Sequence, residues 1–167
     1  ALDMVVEKFA RTDPDGMRRW VATISDPVLR AGAAERVGRR LAESDPAQAA
    51  TWAATLPDAQ SKSRAAESVI QRWAQTDPNA AGEWIKATFP VGSESDVPRE
   101  SFAKMIDGVD PQSALAWAGT ISNQERRDAV ISSIARDWLR REGDAARAVL
   151  QNTPNLPEGV RSRLERR

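Results

Sequence analysis

The residues best placed for chemistry in this chain are four aspartates and six tryptophans, most of them set on a fixed period. Asp13-Pro14, Asp45-Pro46, Asp77-Pro78 and Asp110-Pro111 are each followed by a tryptophan, at Trp20, Trp52, Trp84 and Trp117, and successive copies lie 32, 32 and 33 residues apart. A column of carboxylates could hold a cation or supply a paired acid and base, as in glycoside hydrolysis. A row of indoles could stack against sugars, bases or aromatic peptides. Local physics offers a second explanation for each set. Asp before Pro opens a helix, because the carboxylate accepts from orphan backbone N–H groups and proline lacks a donor that the first helical position does not need. Asp13, Asp45, Asp77 and Asp110 are therefore read as helix caps. The tryptophans share an apolar stripe with their neighbours, which assigns Trp20, Trp52, Trp84 and Trp117, with Trp73 and Trp138, to the repeat core.

Other chemistry is excluded by residue type. The chain has no cysteine and no histidine, so it holds no disulfide, thiolate metal site, imidazole ligand or Ser-His and Cys-His nucleophile. No glycine-rich phosphate loop follows a strand. The sequence thus assigns no catalytic, cofactor-binding or metal-ligating residue and points to a non-enzymatic module. Twenty-four basic residues balance 24 acidic ones, which leaves no net field to draw in nucleic acid or an anionic membrane. Basic residues gather modestly toward the end, at Arg161, Arg163, Arg166 and Arg167. Arginines of the second helices, namely Arg36, Arg40, Arg64, Arg72, Arg126 and Arg127, are candidates for contacting an acidic peptide or a phosphate, whose geometry suits a guanidinium fork. Arg30 and Arg39 share that character. The competing reading pairs these cations with Glu35, Glu43, Glu67, Glu125 and Asp128.

The elements that carry these residues follow from periodicity. Counted from each Asp, positions four, seven, eight and eleven are Met17, Trp20, Val21 and Ile24, then Ala49, Trp52, Ala53 and Leu56, then Ala81, Trp84, Ile85 and Thr88, then Ala114, Trp117, Ala118 and Ile121. This is a helical stripe repeated four times. The helix stops near Ser25, Pro57, Pro90 and Ser122, and a longer second helix follows with its own stripe, including Phe9, Leu41, Trp73 and Ile106. Two places depart from the pattern. Residues between Phe89 and Pro98 are polar and turn-rich, so a long loop is expected to replace part of the third unit's second helix. Beyond Gly143-Asp144, Gln151 stands where tryptophan is expected, and the segment reads as a degenerate cap of the kind a stacked array needs.

The expected fold is all-α: an α-solenoid of tandem helical hairpins, about four and a half units in a right-handed superhelix. Its units span 13–44, 45–76, 77–109 and 110–143, with a partial helix at 1–12 and a cap at 144–167, in one helical-repeat domain taken to be a fragment of a longer protein. No apolar run approaches the roughly 20 residues that cross a bilayer.

The run Asp77-Pro78-Asn79-Ala80-Ala81-Gly82-Glu83-Trp84 resembles the junction between tetratricopeptide repeats, and Asp13, Asp45 and Asp110 with their tryptophans share its offset. The similarity covers the start of each unit and identifies a divergent bacterial helical repeat. It implies binding of a peptide or protein in a concave groove. The family's first-helix Gly and Tyr are absent and its carboxylate-clamp residues have no match, so no site is carried over. The functional expectation is a protein-interaction or scaffolding module without cofactor, able to self-associate through its ends. The alternative is nucleic-acid binding by the arginine-rich second helices and tail, and a third is carbohydrate binding by any exposed tryptophan.

Overall fold

The computed structural model describes residues 4, 6, 8–9, 12–92 and 95–166, and among these it is all-helical, without a strand. The helices are α1 (Pro14–Thr23), α2 (Pro27–Ala42), α3 (Pro46–Ala54), α4 (Ala59–Thr76), α5 (Pro78–Thr88), α6 (Asp96–Ile106), α7 (Pro111–Gly119), α8 (Gln124–Glu142), α9 (Asp144–Gln151) and α10 (Glu158–Glu165). Residues 4, 6, 8, 9 and 12 are also helical. The chain divides into two compact units, 1–90 and 91–167.

Four of the short helices start where aspartate meets proline. Asp13, Asp45, Asp77 and Asp110 stand at the N-caps of α1, α3, α5 and α7, and each Oδ1 accepts a backbone N–H three residues on, from Gly16, Gln48, Ala80 and Ser113 at 2.7–3.0 Å. Three of the long helices begin with the same device. Asp26 accepts from Val28 and Leu29, Asp58 from Ser61, and Asn123 from Arg126.

In the first unit, α2 and α4 run side by side in close contact. A Cβ added to Gly38 would lie 2.8 Å from Ser68 Oγ and 3.1 Å from the Ala65 carbonyl, so the approach depends on small residues. Ala33, Ala34, Val37, Ala65 and Val69 fill the surrounding core with Met17, Val21 and Trp52 from the short helices. At the start of the pair, Arg30 Nε donates to Asp58 Oδ2 at 2.7 Å while its Nη1 donates to the Ile24 carbonyl at 2.8 Å. One side chain thereby joins the end of α1 to the cap of α4.

The second unit is built differently at its entry. Its helix α6 has 11 residues, against 16, 18 and 19 in α2, α4 and α8. It begins at Asp96, within the stretch expected to be loop, and Pro98 fits the first turn because no intrahelical acceptor awaits its missing N–H. Far from being a solvated loop end, Ser95, Asp96 and Arg99 are buried. Asp96 accepts from the backbone N–H groups of Ser122 and Asn123 at 2.6 and 2.9 Å, capping the turn before α8. Arg99 donates to Ser95 Oγ and Thr120 Oγ1, both at 3.0 Å, and lies over the Trp117 ring. Burial pushes its pKa down, and the charge of Asp96 opposes that shift. Further along, Arg126 pairs with Glu100 at 2.5 Å, and Arg141 binds the carboxylate and carbonyl of Asp107.

Candidate binding groove

A groove of about 940 Å³ opens within the second unit. One wall is a face of α7 at helical spacing, Gln112, Leu115, Ala116 and Gly119; the floor and second edge come from α8, through Gln124, Arg127, Asp128 and Ile131. Val149 of α9, the turn from Thr153 to Pro157 and Glu158 close the far side.

Each wall is held by identifiable local chemistry. The α7 cap is Asp110, whose carboxyl is held below the usual range by hydrogen bonds from the Ser113 hydroxyl and backbone N–H. Gly143 ends α8 and begins α9 at φ 53°, ψ −116°, a conformation that glycine adopts without the clash a Cβ brings. The far turn passes through Asn155 at φ 58°, a left-handed position that asparagine tolerates better than most residues. Buried Leu156 anchors this turn, and the Leu156 carbonyl accepts from Arg161 Nε at 3.0 Å. Arg147 Nη1 donates to the Leu164 carbonyl at 2.6 Å, tying α9 to the end of α10.

The groove has an apolar lining and a polar rim. Leu115, Ile131 and Leu156 are buried, while Ala116 and Gly119 are exposed along the α7 edge. Arg127 does not face outward freely, because its Nη1 donates to the Ile121 carbonyl at 2.8 Å and lies 3.5 Å from that of Ser122. The carboxylates of Asp128 and Glu158 enter no ion pair among the described residues.

The candidates from sequence are distributed over other surfaces. Arg40 pairs with Glu43 and Arg64 lies 4.0 Å from Glu67. Arg36 donates to the Gly32 carbonyl, Arg72 is exposed, and Arg126 turns to Glu100. Only Arg127 of the six lines the groove. The tryptophans divide by burial. Trp52 and Trp138 are 8% and 4% exposed, while Trp20, Trp73, Trp84 and Trp117 are half-buried against other aromatics. Trp20 stacks on Phe9, Trp84 meets Trp73 and Phe89, and Trp117 meets Phe102 edge-on at 4.7 Å. The aspartate caps are separate, each occupied with its own helix start. No group of three metal-ligating side chains occurs among the described residues, and no described helix is long and apolar enough to cross a membrane.

Two sets of residues were missed in the sequence. Asp96 sits in the stretch that composition marks as loop and Arg99 just beyond it, and no local pattern signals their partners, which lie more than 20 residues away at Thr120, Ser122 and Asn123. The groove residues Leu115, Ile131 and Leu156 read as ordinary core positions. No family model, curated protein or solved structure matches the chain.

Proposed function

We propose that the chain is a non-catalytic protein-interaction module, an α-solenoid of tandem helical hairpins similar to tetratricopeptide repeats, that takes a peptide or protein partner. The observation that carries this reading is the groove of about 940 Å³ between α7, α8 and the turn before α10. Ligand sites combine an apolar lining with a few polar groups that orient the occupant, and this groove has both. The 32-residue period supports the array, since hairpins with a one-sided stripe gain stability by stacking. Use of the recurrent aspartates as caps supports the absence of catalysis. Nucleic-acid binding has weaker support, because Arg40, Arg64 and Arg126 already face carboxylates.

Affinity capture from lysate of the source organism, run with nuclease and in parallel with Ala116→Arg, tests the proposal. Ala116 is exposed on the groove edge, so the arginine fills the groove without entering the core. A defined protein retained by the wild type and lost from the variant is expected. Equal retention by both removes the groove from the reading, and retention that disappears with nuclease replaces it with nucleic-acid binding.

A further inference from the structure

We infer that the groove takes a segment of a partner protein in which an aliphatic side chain stands next to a lysine or arginine; this rests on the interaction-module reading and adds the partner's chemistry. The apolar demand comes from Leu115, Ile131, Val149 and Leu156, which line the walls and floor. An aliphatic group there displaces water from apolar surface and gains in proportion to the area covered. The charge demand comes from the rim. Among the described residues, the charged groups lining the groove are Arg127, Asp128 and Glu158, a net negative set, and the Arg127 guanidinium is turned onto the Ile121 and Ser122 carbonyls.

Asp128 and Glu158 are in the opposite condition. Asp128 is half-buried on α8, and Glu158 opens α10, where its contact is a 3.3 Å hydrogen bond from Ser162. Neither meets a cation among the described residues. Asp128, partly withdrawn from water and lacking a counter-charge among the described residues, attracts a ligand cation more strongly than a fully solvated carboxylate does, and the exposed Glu158 adds a second negative charge on the same rim. An acidic segment, or the phosphates of a nucleic acid, would bring like charge against both. The complementary occupant is therefore basic and aliphatic.

The test uses the full chain and three panels of short fluorescent peptides, each with a leucine beside Lys or Arg, beside Asp or Glu, or beside Ser, read by fluorescence anisotropy. The basic panel is expected to bind at least about tenfold more tightly than the acidic one. That affinity should fall about fivefold in Asp128→Asn or Glu158→Gln, decline with added salt, and vanish in Ala116→Arg. Far-UV circular dichroism confirms that each variant folds; should Asp128→Asn unfold, Glu158→Gln, at an exposed position, carries the test. Acidic or serine peptides that bind as tightly, and are lost in Ala116→Arg, overturn the basic specificity and leave the groove as a binding site. Binding by none of the panels overturns the inference, and the lysate capture then decides the interaction-module reading separately.

Discussion

In the first unit the long helices α2 and α4 meet through small side chains, whereas in the second the short α6 meets α8 through charges. The difference follows from length. Eighteen helical residues extend about 27 Å and eleven about 16 Å, so α6 has fewer turns with which to bury apolar surface against its neighbour. Its compensation is a set of polar ties along its whole length: Asp96 to the Ser122–Asn123 turn at the start, Glu100 to Arg126 midway, and Asp107 to Arg141 at the end. Among the described residues, the first unit has such a tie from Arg30 to Asp58, at the head of a contact where Gly38 meets Ala65 and Ser68 and where Ala33, Ala34, Val37 and Val69 are buried. Packing area and directed hydrogen bonds are thus alternative ways of holding neighbouring helices in register.

Substitutions can break or sharpen this contrast. The largest effect is expected at Trp52→Ala, which empties a buried ring from the first unit's core and should cost about 3–5 kcal/mol in urea unfolding. Trp117→Ala, at a half-buried ring, should cost clearly less, and equal losses would mean that the second unit relies on apolar packing as heavily as the first. Next comes Asp96→Ala, which strands two backbone N–H groups and leaves Arg99 without its neighbouring carboxylate. Its expected cost is about 3 kcal/mol, against about 1–2 kcal/mol for Asp58→Ala, which removes the cap of α4 together with a partly exposed tie. The contrast fails if Asp58→Ala proves the more damaging of the two.

A smaller effect separates two glycines of the second unit. Gly143→Ala forces a Cβ into a positive-φ conformation and should destabilise by about 1–2 kcal/mol. Gly119→Ala, where an added Cβ meets nothing within 4 Å, should be neutral or slightly stabilising through helix propensity. Identical melting temperatures for the two variants would show that the α8–α9 junction relaxes.

The smallest expected effect is with pH. Burial alone would raise the Asp58 carboxyl, but hydrogen bonds from Ser61 and Arg30 outweigh it and hold it below its ordinary value of 3.8. Glu100, also opposed by burial, is held below 4.5 by Lys104 and Arg126. A carboxyl lowered in the folded state contributes fully above its unfolded pKa and loses that contribution as pH falls toward the folded one. Stability should therefore be flat near neutrality with respect to these groups and decline below about pH 4.5. Asp58→Asn should make the decline shallower; an unchanged acid profile would remove Asp58 as a contributor.

Much of the helical layout was legible because its signals are local. Asp45 followed by Pro46, with Gln48 N–H in reach three residues on, depends on one turn of chain and nothing else. The capping role of Asp96 toward Ser122 and Asn123 was not legible, since its partners lie 26 and 27 residues away. The groove was hidden for a related reason. Leu115 and Ile131 occupy apolar helix positions like any others, and only the placement of α9 and the Asn155 turn leaves space above them.

By itself the sequence determined the helical class, the period, the starts of the short helices and the lack of histidine and cysteine chemistry, because each rests on residue type or on spacing within a few turns. Tertiary structure alone decided which carboxylates are tied and which stand unpaired, which tryptophans are buried, and where a groove remains. Those properties belong to pairs of residues distant in the chain, and their energies exist only once packing has brought the partners within hydrogen-bond and van der Waals range.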